Sequence, residues 1–384
     1  MPQTSFEFAT AGRVLVGAGR AAELAPTAAR LGSRALICTG SDPHRHAELV
    51  ATLTVPCATF GVRGEPTVEM ARQAAAAARQ HGADLVVGIG GGSVIDLAKS
   101  VAMLLANGGD PLDYLEGVGR GRVITQPAAP CVAVPTTAGT GAEVTANAVL
   151  AAPRDRLKAS LRSPLMIPSV ALVDPLLTVG CPAPVTASAG LDALTQCLEP
   201  LVSVRANPVT DSLARTGLRH AAAGLRRAYR DGSDVGARTD MVLCSLLGGM
   251  ALANARLGAV HGFAGVLGGM IDVPHGVACA ALLAPAVEVT VAGLRARRPE
   301  SPALGRYAEA AQLLTGRPDA SVEDGLDWIR ETVALLDIPP LRAFGLRPDQ
   351  AEEVVAKAAR SSSMQGNPIP LTGDELHTIL GRAA

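Results

Sequence analysis

Residues 84–106 constrain this chain more than any other segment. An apolar run, 84–89, passes straight into Gly90-Gly91-Gly92-Ser93, and a helical pattern with an Ala/Leu-rich face follows to residue 106. The text predicts a strand, a tight turn and a helix. A turn made of glycine lets backbone N–H groups approach an anion with no Cβ in the way. The helix start adds unpaired amides and partial positive charge. Gly90, Gly91, Gly92 and Ser93 are therefore candidate pyrophosphate contacts, against the simpler reading of a bare strand-to-helix turn.

The same alternation extends on both sides. Residues 13–17, 35–39, 131–135 and 169–173 also read as short strands, and 20–31 and 68–81 as helices. Strands alternating with helices imply a mostly parallel sheet covered on both faces. The pattern changes at Pro182-Ala183-Pro184. Beyond it the periodicity is helical, over 186–202, 208–229 and 238–257 and onward, with Pro/Gly breaks between segments. The expectation is an α/β domain over 1–182 and an all-helical domain over 183–384.

A second loop supports an anion or ribose site. Thr136, Thr137 and Thr140 follow the 131–135 strand among glycines, and ligands of open parallel sheets gather at the C-terminal ends of the strands. Thr-rich loops also form ordinary turns.

Composition closes off other classes. The 384 residues carry a net charge of −1 and only 2% aromatics, which argues against nucleic acid or an anionic membrane as partner. No run of 18 or more residues is uninterruptedly apolar, and no signal peptide is evident. The seven cysteines show no C-x-x-C pair. Free thiols in a reducing cytoplasm are the expectation.

Four further residues form a candidate metal site: Asp192, Gln196, His261 and His275. Asp192 and Gln196 are four apart in a predicted helix and share a face. His261 and His275 would lie roughly 21 Å apart on one unbroken helix, whereas two imidazoles on one metal must come within about 4 Å. The chain must reverse between them, and Gly268-Gly269 and Val273-Pro274 supply the break. One carboxylate and two imidazoles suit zinc or ferrous iron. The alternative is two polar residues at helix ends.

These segments resemble the iron-containing (group III) alcohol dehydrogenase family over nearly the whole chain. The matching text is GIGGGSVIDLAK (88–99), PTTAGTGAEVT (135–145), LVDP (172–175), GLDALTQCLEPLVS (190–203), RANPVTD (205–211), GAVHGFAGVLGG (258–269), PHGVA (274–278) and GNP (366–368). The resemblance implies a dinucleotide-binding α/β domain and a helical metal domain, with NAD or NADP and a divalent metal, Fe or Zn. It places Gly91, Gly92 and Ser93 on the pyrophosphate with Asp96 behind them. It also places Thr136, Thr137 and Thr140 beside the cofactor, Lys158 near its ribose, and Asp192, His261 and His275 on the metal. A homodimer and a small alcohol or aldehyde substrate are further expectations from it.

The chain departs from the family pattern in three places. Gln196 stands where a histidine ligand is usual, so a three-ligand site of the zinc-type glycerol dehydrogenase kind is one expectation. Gly265 stands where many members carry a proton-relaying histidine. Gly40 and Ser41 end the 35–39 strand where NAD-preferring members often have an aspartate, which leaves NADP open. Hydride transfer on a metal-polarised carbonyl is the leading expectation. Metal-free reduction resembling maleylacetate reductase, a dehydroquinate-synthase-like lyase and a non-catalytic scaffold are the alternatives.

Overall fold

The computed structural model describes residues 5–117, 119–152 and 157–384. One unit comprises Ala9–Thr137 and Gly141–Val179; the other comprises residues 5–8, Ala138–Thr140 and Gly180–Ala384.

In the first unit the strands are β1 (Arg13–Val16), β2 (Ala35–Thr39), β3 (Cys57–Gly61), β4 (Leu85–Gly90), β5 (Cys131–Pro135), β6 (Asn147–Ala152), β7 (Leu157–Arg162) and β8 (Val170–Val173). Six of them form a sheet ordered β1-β8-β5-β4-β2-β3, and every pairing in it is parallel. The helices are α1 (Leu24–Leu31), α2 (Ala47–Ala51), α3 (Val68–His81), α4 (Gly92–Asn107) and α5 (Pro111–Tyr114). Successive strand residues face opposite sides. Ile37, Leu85, Val87 and Ile89 thus join a core with Leu24 and Ala28 of α1. Leu36, Cys38 and Val86 join another with α3 and α4.

Three sequence expectations need correction. The helix expected over 20–31 is a 3-10 turn, Arg20–Glu23, before α1, because Pro26 cannot sit within a continuous α-helix from residue 20. Strand β3 was not expected; its alternating exposure at the sheet edge leaves it without a continuous apolar run. Nor was the antiparallel pair β6–β7, which interrupts the strand–helix alternation.

The chain order reverses between β2 and β4. Thr39 pairs with Ile89, and Gly90 with Pro135. The loops opening at Gly40, Gly91 and Thr136 therefore leave neighbouring strand ends at the topological switch point, where such sheets bind ligands.

The second unit holds α6 (Ala183–Val202), α7 (Pro208–Arg230), α8 (Val235–Ala255), α9 (Ala259–Met270), α10 (His275–Arg297), α11 (Pro302–Thr315), α12 (Val322–Leu335), α13 (Ala351–Ala359) and α14 (Gly373–Ala383). The expected start of α8 at 238 moves to Val235, because the Asp234 side chain accepts from Ala237 N and caps the helix there. Helices α8 and α10 reach mean hydropathies of 1.3 and 2.0 and have the length of membrane spans. Both contribute buried residues to the core of this unit.

Candidate metal centre

The polar cluster is built by α6, α9 and α10. Asp192 on α6 is 1% exposed, and the same helix buries Thr195, Gln196 and Glu199. The chain breaks after Met270 and restarts at His275, with Pro274 preceding the first helical residue. This reversal brings the two imidazoles together, with ring centroids 5.5 Å apart. Gly276 makes the approach possible, since a Cβ there would lie 2.5 Å from Ser188 O on α6. Asp192 Oδ1 stands 3.2 Å from His261 Nε2 and 3.8 Å from His275 Nε2. Bonds of 2.0–2.2 Å to one tetrahedral metal give ligand separations of roughly 3.3–3.6 Å, close to both.

The sequence reading missed Glu199, seven residues after Asp192 on α6. Its Oε2 lies 2.7 Å from His261 Nδ1, and its Oε1 accepts from Val260 N at 2.7 Å. Donation of Nδ1–H to Glu199 leaves the Nε2 lone pair facing the Asp192 carboxylate. Two electron-rich atoms then meet, an arrangement that a cation between them resolves. A carboxylate holding a ligand imidazole in this way is the usual support of a metal-bound histidine. The start of α9 also favours negative charge on Glu199, and Asn367 of the GNP string accepts from Ala259 N beside it. The signal was available: Asp192, Gln196 and Glu199 recur on one helix face.

Cys279 was also missed. One turn past His275, its Sγ lies 3.7 Å from His275 Nε2. Ligating atoms of Asp192, His261, His275 and Cys279 all fall within 4.8 Å of one another.

The electrostatics call for positive charge. Burial opposes a charge on His261, yet Cys279, Glu199 and Asp192 outweigh it and raise its pKa well above the ordinary value. The electrostatic interaction with the Cys279 sulfur, against burial and with help from Asp192, lifts His275 to about 9. Burial works against Asp192, but His275 and His261 hold it below the usual carboxylate range. The His275 side chain is 36% exposed, so the cluster opens on that side. Gln196 is buried and its Oε1 has no hydrogen-bond partner. Donor set, spacing and the orphaned oxygen together fit a divalent metal.

The phosphate turn lies in the other unit. Helix α4 starts on Gly91 with no side chain capping its first amides, which leaves them for an anion. Cβ atoms at Gly88 and Gly90 would lie 2.9 Å from Ala98 and 2.5 Å from Val94. Those glycines let α4 press onto β4, while Gly91 faces Thr137. None of the three has a positive φ. Asp96 acts as a strut: it pairs with Lys99 at 3.0 Å and accepts from Val149 N. Lys99, wholly buried and assigned no role from sequence, donates to Ala142 O, Thr145 Oγ1 and Asn147 O. It fixes the loop after β5 from beneath. Thr136 N donates to Gly90 O, whereas Thr140 falls in the helical unit. Lys158, on β7, pairs with Glu65 at 3.0 Å. Gly40 and Ser41 follow β2, and Asp42 is engaged in capping His44 N.

Comparison with known proteins agrees across the whole chain. A family pattern described as iron-containing alcohol dehydrogenase matches residues 11–175. The pattern described as Fe-containing alcohol dehydrogenase family, C-terminal, matches residues 186–384. Long-chain-alcohol dehydrogenase 1 of Geobacillus thermodenitrificans is 35% identical over 380 residues, 95% of this chain and 93% of that one. The crystal structure of 1,3-propanediol oxidoreductase superposes with a TM-score of 0.91 at 31% identity, over 99% of this chain and 100% of that one. Sulfoacetaldehyde reductase from Bifidobacterium kashiwanohense, in complex with NAD+, gives 0.86 at 27% identity over 99% of each.

Proposed function

The chain belongs to the iron-containing alcohol dehydrogenase family and is an oxidoreductase acting on CH–OH groups, and from that premise we propose that it is a metal-dependent, NAD(P)-linked alcohol dehydrogenase or carbonyl reductase. The observation that carries the reading is the meeting of Asp192, His261 and His275 at one buried point, with Glu199 behind His261.

When bound, the metal supplies Lewis-acid stabilisation of the alkoxide and the nicotinamide accepts or gives hydride. Asp192, His261 and His275 would hold the metal, and Glu199 keeps the His261 tautomer that ligation needs. The partly exposed side at His275 is where a small alcohol or aldehyde would enter. Gln196 Oε1, buried without a partner, is placed to accept a hydrogen bond from a hydroxyl. Gly265 offers no side chain to carry a proton, so water must do so.

The dinucleotide would use the amides of Gly91, Gly92 and Ser93, with Gly90, Thr136 and Thr137 beside them, Gly40 and Ser41 at the neighbouring strand end, and Lys158 toward the ribose. The complex of the sulfoacetaldehyde reductase with NAD+ supports a nicotinamide dinucleotide as the cofactor. A reducing cytoplasm is consistent with seven free cysteines; the homodimer rests on the family resemblance.

The test is elemental analysis together with NADH and NADPH oxidation by short aldehydes, before and after chelation. About one zinc or iron per chain, with activity lost on chelation and restored by metal, is expected. Full turnover by metal-free protein would overturn the proposal in favour of a metal-independent reductase.

A further inference from the structure

The helix face that carries Asp192 has an imbalance. Gln196, one turn on, offers at best a neutral amide oxygen, a weak donor for a divalent ion, and its Oε1 is left buried with no partner. One turn past His275, α10 presents Cys279, which is fully buried. Its sulfur is 3.7 Å from His275 Nε2 and within 4.8 Å of the ligating atoms of Asp192 and His261.

We infer that Cys279 is the fourth protein ligand of the metal, its thiolate replacing the donor that position 196 does not supply. The inference rests on the metal-dependent reading above and goes beyond it in naming the ligand set and the metal class.

Three observations converge. The first is distance. With metal bonds of 2.0–2.2 Å to nitrogen and 2.3 Å to sulfur, a near-tetrahedral angle separates the two donors by roughly 3.5–3.7 Å, matching the Cys279–His275 separation. Expansion to five ligands leaves a place for substrate on the exposed side at His275. The second is charge. Asp192 and one thiolate bonded directly to a divalent cation make a neutral inner set, while the Glu199 charge stands one residue further out, balanced by His261 and the Val260 amide. The third is topology. His275 and Cys279 are four apart on one helix, so both side chains leave the same face toward α6, against which Gly276 packs α10 closely. On metal binding the thiol releases its proton to solvent. A soft sulfur among nitrogen and oxygen donors selects zinc over ferrous iron. Gln196 is thereby released from coordination to serve as a hydrogen-bond acceptor.

X-ray absorption at the zinc edge of fully loaded wild-type enzyme tests this directly. One sulfur at about 2.3 Å, beside nitrogen and oxygen near 2.0–2.2 Å, is expected. The Cys279→Ser variant should lose the sulfur shell and weaken zinc at least tenfold in competition with a chromophoric chelator. Gln196→His in the Cys279→Ser background should recover most of that affinity, which a merely structural thiol would not allow. A shell of nitrogen and oxygen only, on a protein that is loaded and inactivated by chelation, overturns the inference and leaves the metal-dependent reading standing. A protein that takes up no metal and still turns over overturns both.

Discussion

Glu199 and His261 are joined at 2.7 Å, carboxylate to Nδ1, and the same carboxylate accepts the Val260 amide at the start of the helix that carries His261. One acid thus fixes a ligand's backbone and its tautomer. In Glu199→Gln the amide oxygen can still accept from Val260 N. The amide nitrogen would then donate to His261 Nδ1 and move the ring proton to Nε2, where the lone pair is needed. Metal affinity should fall about 10–100-fold, measured by chelator competition, with the melting temperature of metal-free protein little changed.

Position 265 is open. A Cβ there meets nothing within 4 Å, although the residue lies inside α9. Gly265→Ala should stabilise the protein by about 1 kcal/mol, the helix cost of glycine. Gly265→His should fold equally well and, one turn from His261, supply a proton carrier. Its kcat should rise roughly tenfold or more, within the range of general acid–base effects, with a new ionisation in the pH profile. Unchanged kcat and profile would mean that water already carries the proton without loss.

Gly90 predicts the opposite outcome. Its Cβ would stand 2.5 Å from Val94 Cγ2, so Gly90→Ala must displace the first turn of α4. Overpacking of this kind costs about 1–3 kcal/mol. The KM for the nicotinamide cofactor should rise while metal content stays at the wild-type level. A fall in metal content instead would show that the two sites do not respond separately.

Glu143 gives a pH signature unrelated to the metal. Burial raises its pKa to about 7, against its own backbone N–H and the Lys99 charge. Between its unfolded value and 7, the folded state holds a proton that the unfolded chain has lost, so stability falls as pH rises. The difference amounts to about 3 kcal/mol by the usual conversion. Glu143→Gln mimics the protonated acid and should escape this loss. Denaturation at pH 5 and pH 8 should show the variant gaining relative to wild type. A constant difference would mean that Glu143 is ionised throughout.

The sheet and the helical unit were legible because buried parallel strands leave unbroken apolar runs and buried helices leave a 3.6-residue period. Strand β3 was not, since its polar Thr59 and edge exposure break the run. Strand β6, apolar over Ala148–Ala152, was not because its Ala-rich run reads as helix or strand alike and an antiparallel pair has no place in a strand–helix alternation. The histidines announced themselves through the break at 268–274. Glu199 and Cys279 stayed hidden because each acts through a neighbour in space: Glu199 across to His261, Cys279 beside Asp192. Gln196 was recognised as a departure, but its replacement lies on another helix, and only packing of α10 on α6 brings the two into one account. Lys99 was hidden for a related reason, since a lysine in an Ala-rich helix reads as a solvated face until its acceptors are placed around it.

Asp192 and His261 are 69 positions apart, yet they would share one ion with His275 on the next helix. A bond to both closes a long loop, and by the chain-entropy argument used for disulfides such a closure is worth on the order of 4 kcal/mol. The ion is then a removable cross-link as well as a Lewis acid. Enzyme made in a metal-starved cell would carry looser α6, α9 and α10 helices, exchange their amide hydrogens faster, and be the first pool that proteases clear.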